Sequence, residues 1–220
     1  MKGKSRVFIN AKISRHKISQ IMDCFCADLG AIQACKITRL NRNTLNRYYS
    51  IFREKIAQHC EKVSPLKGQI ELDESYFGAK RVKGRRGRGA LGKIAVFGIL
   101  KRGDRVFTQI VKNCSKAELM GIIDKCVSRE SVVHTDGFKS YDGLVDFGYK
   151  KHFRVKHCQD QFATKTSHIN GIESFWGFCK TRLSKFRGLS KHKFYLHLKE
   201  SEFRFNYRKH NLKSVLKGII

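Results

Sequence analysis

A chain of 220 residues leaves room for one sizeable domain and a smaller companion. Its 46 lysines and arginines against 18 acidic residues give a formal charge of +28, a field that favours polyanionic partners, nucleic acid first among them. With 41% hydrophobic and 11% aromatic residues and one proline, the composition excludes a disordered basic tail, although charge alone leaves open a ribosomal or merely well-solvated protein.

Residues 18–59 repeat apolar side chains at helical spacing: Ile21, Phe25 and Leu29, then Ala31, Ala34, Ile37 and Leu40, then Leu45, Tyr48, Phe52 and Ile56. Gly30 and the polar stretch 38–43 divide this pattern into three helices, with Asn41 or Asn43 as the cap of the last. Two short helices, a tight turn and a longer third helix form either a helix-turn-helix or an ordinary helical bundle with a polar face. In the first case Asn43, Thr44, Asn46 and Arg47 stand where a recognition helix meets base edges. The only proline, Pro65, sits where the helical period stops and marks a linker. The expected division is a helix-turn-helix domain over residues 1–66 and a second domain over 67–220.

Beyond Gly68 the period shortens. Residues 69–76, 93–100 and 105–111 read as three antiparallel strands, the last two joined by a turn at 101–104. A helix over 116–128, a brief strand over 131–134, a short helix over 140–147 and a strand over 149–155 follow. Two helices, over 170–187 and 191–209, close the chain, the last expected to cover the sheet with Phe194, Leu198 and Phe203 while Lys199, Arg204, Arg208 and Lys209 point outward. The fold class is α/β: an RNase-H-like mixed sheet flanked by helices, preceded by a small all-α domain.

In that layout Asp73 falls at a strand centre, Asp136 just past the fourth strand and Glu173 on the helix after the fifth. A strand centre is a poor place for a carboxylate without a use for it. Phosphodiester chemistry supplies one, because paired Mg2+ ions demand hard oxygen ligands.

The segments Glu71-Leu72-Asp73-Glu74-Ser75-Tyr76-Phe77-Gly78, His134-Thr135-Asp136-Gly137-Phe138-Lys139-Ser140-Tyr141 and His168-Ile169-Asn170-Gly171-Ile172-Glu173-Ser174-Phe175-Trp176 resemble the three catalytic blocks of DDE transposases from small bacterial insertion sequences. Phe203-Arg204-Phe205-Asn206-Tyr207-Arg208 resembles their closing helix. The resemblance implies that Asp73, Asp136 and Glu173 hold two Mg2+ or Mn2+ ions, and that Lys180, two helical turns beyond the glutamate, contacts DNA. Asn170 is an alternative third ligand, since some relatives use an asparagine there. Double-stranded DNA is the implied partner, as terminal inverted repeats and as target, handled by a homodimer or larger assembly in the bacterial cytoplasm at the nucleoid. A stand-alone RNase-H-like nuclease and a non-enzymatic helix-turn-helix regulator are the other readings.

Many members of this group begin with a zinc ribbon. Here none of the eight cysteines forms a C-x-x-C pair, and their scatter suits buried thiols in a reducing compartment. The opening residues lack an apolar signal core, and the longest apolar stretch, 94–100, is too short to span a bilayer, so no membrane partner is expected.

Residues 78–93 place Lys80, Arg81, Lys83, Arg85, Arg86 and Arg88 among glycines, suited to phosphate contacts or to a solvated hairpin loop. The G-x-G-x-x-G match inside it precedes a strand and opens no helix, which removes a dinucleotide cradle. His134 and His168 flank the acids and are secondary candidates for metal or phosphate. Phe175, Trp176 and Phe178 beside Glu173 serve either core packing or base stacking.

Overall fold

The computed structural model describes residues 12–62, 65–78, 93–136, 148–149, 151–155, 169–186 and 189–220. Its elements are α1 (Arg15–Cys26), α2 (Ala31–Thr38), α3 (Arg42–Cys60), β1 (Gln69–Phe77), β2 (Ile94–Lys101), β3 (Val106–Val111), α4 (Lys116–Cys126), β4 (Val132–Asp136), β5 (Lys151–Val155), α5 (Asn170–Ser184), α6 (Lys191–Asn206) and α7 (Leu212–Ile219). Two compact units result: Lys62–Asn206, and Met1–Glu61 together with Tyr207–Ile220.

The helical unit is built on aromatic packing. Phe25 of α1 meets Tyr49 and Phe52 of α3 edge-on, with Leu45 and Ile56 fully buried beside them. Helix α1 starts three residues earlier than its apolar period suggests, because the Ser14 hydroxyl accepts the Lys17 N–H at 3.3 Å and caps the first turn. Helix α2 stops at Arg39, which takes the left-handed conformation usually given to glycine (φ 55°). Asn41 then caps α3 by accepting the Asn43 N–H at 2.8 Å.

The C-terminal segment, expected with the sheet, joins these helices instead. Lys213 of α7 reaches the Asp23 carboxylate at 2.6 Å, Tyr207 Oη lies 2.8 Å from His59 Nε2, and Leu216 is buried. An Asn211 cap starts α7, a helix the apolar spacing did not announce. No described helix is long and apolar enough to cross a membrane.

The sheet runs β3-β2-β1-β4-β5; β1, β2 and β3 are antiparallel neighbours, β4 is parallel to β1 and β5 parallel to β4. This is the RNase-H-like arrangement. Alternation along β1 sorts its side chains. Ile70 and Leu72 pack on one face with Leu119 and Ile123 of α4, whereas Phe77 packs on the other with Ile172, Phe175 and Trp176 of α5 and Phe194 and Leu198 of α6. Glu71 and Asp73 share that second face. Strand β2, buried through most of its length, is the apolar run a central strand requires.

Helix α6 corrects the expected basic cover. Lys199 is buried, its ammonium 2.9 Å from Glu202 and 2.8 Å from the Thr108 carbonyl, and Arg204 pairs with Glu200 at 2.9 Å. Only Arg208 and Lys209, beyond the end of α6, are exposed as expected. The reason lies in β3, an edge strand whose outward backbone groups need partners. Glu202 accepts the Thr108 N–H at 2.9 Å, and Asn206 both accepts from the Val106 N–H at 2.7 Å and donates to its carbonyl at 2.9 Å. The polar stripe of α6 thus completes the sheet. The helix expected over 140–147 lies outside the described residues.

Candidate active site

Strand pairing brings the first two acids together. Leu72 of β1 stands level with Thr135 of β4, so one step further Asp73 and Asp136 are neighbours on adjacent parallel strands, on one face by alternation. Asp136 is the last residue of β4 rather than a residue past it, since β4 runs longer than expected. Glu173, exposed in the first turn of α5, comes close enough for its charge to act on Asp73.

Asp73 is half-buried, and both of its oxygens accept from neutral donors: Oδ1 from the Glu74 N–H at 2.8 Å and Oδ2 from the Trp176 indole N–H at 3.0 Å. Burial pushes its carboxyl up to about 6. The negative charges of Asp136 and Glu173 add to the rise, against the two hydrogen bonds. Among the described residues, the charges acting on Asp73 are those of other carboxylates, so in a chain of formal charge +28 this is a place short of described positive charge. Among the described residues, no three His, Cys or acidic side chains stand close enough for a ready-made metal cage.

Helix α5 is seated by close contacts. Its start at Ile169 has no side-chain cap of its own. Glu71, buried in β1, supplies one from the sheet: Oε2 accepts the Ile172 N–H at 2.9 Å while Oε1 takes Arg102 Nε at 2.7 Å. Two glycines make this approach possible. A Cβ on Gly171 would lie 2.8 Å from Glu71 Oε2, and one on Gly98, directly opposite Asp73 in β2, would lie 2.5 Å from the Trp176 ring. These four residues were not singled out for such roles by sequence. The signal available for Glu71 was its period-two relation to Asp73, which puts two carboxylates on one strand face.

Other candidates separate. Lys180 is exposed on α5, its ammonium 6.0 Å from the Phe77 ring centre, and Asn170 is exposed at the first position of that helix. Phe175 and Trp176 are core residues, while Phe178 is partly exposed. His134 is buried, its Nε2 2.6 Å from Gln69 Oε1 and its ring stacked on Phe153. In the helical unit Asn43, Asn46 and Arg47 are exposed and Thr44 is half-buried along the start of α3. Arg85, Arg86, Arg88 and His168 lie outside the described residues. Cys24, Cys126 and Cys179 are buried thiols.

Comparison with known proteins gives the family. Residues 65–206 match the model of the ISXO2-like transposase domain. A transposase-like protein of Haemophilus influenzae is 44% identical over 102 residues, 46% of this chain and 81% of that protein. A protein in transposable element ISH50 of Halobacterium salinarum is 29% identical over 172 residues, 70% of this chain and 58% of that protein. Among solved structures, the catalytic core domain of BIV integrase superposes with a TM-score of 0.42 at 11% identity, over 68% of this chain and 93% of that one.

Proposed function

Since the chain belongs to the ISXO2-like transposase family, we propose that it cuts DNA at the ends of an insertion sequence and joins the freed ends to a target, with Asp73, Asp136 and Glu173 as its metal-binding carboxylates. The observation that carries this reading is the state of Asp73. It is an acid on a central strand, bonded among the described residues to neutral N–H groups alone and pushed up to about 6 by burial and by the other two acids.

Hard carboxylate oxygens suit Mg2+ or Mn2+, and Mg2+ is commonly held by one or two carboxylates together with substrate phosphates rather than by an all-protein cage. The looser grouping of the three acids fits that habit. When bound, a pair of such ions supplies charge neutralisation at the scissile phosphate and activation of the attacking oxygen. The protein's own part is positional. Glu74 and Trp176 fix the plane of the Asp73 carboxylate through their N–H groups. The β1–β4 pairing sets Asp136 beside it, and α5 delivers Glu173 over the same face. Lys180, exposed further along α5, is placed to meet a DNA phosphate. Asn170, one turn before Glu173, remains the alternative third ligand.

The helical unit supplies recognition in this proposal. Asn41 starts α3 so that Asn43, Asn46 and Arg47 project from its first turns, the part of a recognition helix that reaches base edges. Two element ends must be held at once, so a dimer on DNA is part of the reading, acting at the bacterial nucleoid.

The test uses a duplex carrying the element's terminal inverted repeat, with Mg2+ or Mn2+. The wild type should cleave one strand at the repeat and transfer the 3′ end into a second duplex; Asp73→Ala should still bind the repeat and do neither. Strand transfer at the wild-type rate by that variant would remove the assignment. Hydrolysis with no transfer product would instead identify a stand-alone nuclease.

A further inference from the structure

We propose that Glu71 is a positioning residue, the anchor that holds α5, and with it Glu173 and Trp176, in register over Asp73. Its consequence for metal binding rests on the transposase reading given above; the helix contact itself does not.

Sequence places Glu71 two residues before Asp73, on the same strand and face, where it invites assignment as one more metal ligand. The structure gives it different work. Its side chain is 1% exposed, so no substrate or ion from solvent reaches it without displacing α5. One oxygen is bonded to the Ile172 N–H and the other to Arg102, which is itself 22% exposed.

The first N–H groups of a helix have no intrahelical partner and carry the positive end of its dipole, so a carboxylate brought to them from another element both satisfies and attracts them. In α5 the first backbone bond within the helix is from Glu173 N to Ile169 O, at 3.1 Å, leaving the Ile172 N–H to the sheet. Glu71 takes it. Gly171 fixes the closeness of the approach, because a Cβ there would sit 2.8 Å from Oε2 and 3.0 Å from Leu100 Cδ2. One residue beyond Ile172 stands Glu173, and one further turn along stands Trp176, whose indole holds Asp73 Oδ2. Two bonds from neighbouring same-face acids of β1 therefore pin one helix: Glu71 to its backbone, Asp73 to its tryptophan. Loss of the first lets the helix start drift and takes Glu173 out of reach of the other carboxylates.

Trp176 is the only tryptophan of the chain, so its fluorescence reports this helix without reference to activity. The experiment compares the full-length wild type, Glu71→Gln and Glu71→Ala in three measurements: hydrogen exchange of the Ile172 amide, Trp176 emission, and Mn2+ affinity by calorimetry. Glu71→Gln keeps an oxygen for Ile172 and releases Arg102 toward solvent, so it should stay near wild type in all three. Glu71→Ala should speed Ile172 exchange about tenfold or more, shift Trp176 emission to the red, and weaken Mn2+ binding roughly tenfold, the usual scale for loss of a group that orients metal ligands. In strand cleavage kcat should fall with KM for DNA unchanged, and the glutamine variant should restore it.

If Glu71→Ala does not fold, Gly171→Ala tests the same contact with the Glu71 charge intact, and should give the same exchange and emission changes. A folded Glu71→Ala protein with wild-type Ile172 protection and wild-type emission overturns the proposal. Absence of metal-dependent cleavage in the wild type would overturn the transposase reading instead, while exchange and emission still decide the role of Glu71.

Discussion

Two groups of acids, one on α6 and one centred on Asp73, are treated in opposite ways. On α6, Glu200 is paired with Arg182 and Arg204, and Glu202 with Lys199 and the Thr108 backbone. Burial holds the Glu202 carboxyl above the ordinary range, and Lys199 and Thr108 draw it back. At the start of α5, burial raises Asp73 as well, but there the neighbouring charges, Asp136 and Glu173, push in the same direction. The first group is closed on itself. Among the described residues the second offers Asp73 no cationic partner, and in that sense it is the open group; in a chain with 46 lysines and arginines that is a property of placement, not of supply.

The sharpest way to break this contrast is to neutralise one acid from each group. Asp73→Asn keeps an oxygen for the Trp176 N–H but removes a proposed metal ligand. Since metal stabilisation of phosphoryl chemistry amounts to several kcal/mol, strand cleavage should fall by roughly 10^3-fold or more. Its thermal stability at neutral pH should rise, because a strained charge has gone. Glu202→Ala should do the reverse. It leaves Lys199 buried without its carboxylate and the Thr108 N–H without an acceptor, which costs about 3–5 kcal/mol by denaturant unfolding. Below its melting temperature it should cleave within a few-fold of wild type. Equal stability changes in the two variants would show that the two groups do not differ as described.

Titration sharpens the same contrast at a smaller scale. A carboxyl raised from 3.8 to about 6 on folding binds more protons in the native than in the unfolded state between those values. Its contribution to stability is therefore favourable at low pH and is lost as pH rises through about 6, amounting to on the order of 2–3 kcal/mol. Without divalent metal, the gain in stability of Asp73→Asn over wild type should be near zero at about pH 4, where Asp73 is largely protonated in the native state, and should reach its maximum above about pH 7. Added Mg2+ should shrink that gain, because it favours the ionised wild-type form. A pH-independent difference would mean that Asp73 is not raised.

The strand and helix positions of Asp73, Asp136 and Glu173 were legible in sequence because their signals are local: an acid in an apolar strand run, another beside a strand end, a third with aromatic residues at helical spacing. The helices of the N-terminal unit and the three antiparallel strands were legible for the same reason, each having a period that its own residues display. What escaped depends on partners far along the chain. The charges of α6 read as a solvated face, since nothing in the sequence shows that Lys199 meets Thr108 or that Asn206 meets Val106. Glu71 and Asp73 are equivalent by alternation, and only the seating of α5 distinguishes the buried Glu71 from the half-buried Asp73. Helix α7 carries its own cap residue, Asn211, yet the C-terminal segment joins the N-terminal unit through Asp23, which meets Lys213, and His59, which meets Tyr207.

Two glycines give the finest test of how tightly the open group is built. Gly98 lies opposite Asp73, and a methyl group there would meet Trp176 Cζ2 at 2.5 Å and Ile172 Cδ1 at 2.9 Å. Both atoms belong to packed core side chains, so neither swings aside freely. Gly98→Ala should cost about 1–3 kcal/mol through overpacking, and it should weaken Mn2+ binding because the indole is pushed off Asp73. Gly121, exposed in the middle of α4 with nothing within 4 Å of the place a methyl would take, is the matched control. There the same substitution should stabilise the protein by roughly 0.5–1 kcal/mol, the gain expected for alanine over glycine inside a helix, and leave metal affinity untouched. If Gly98→Ala behaved like Gly121→Ala in both measurements, the indole would not be held against Asp73 by the strand beneath it.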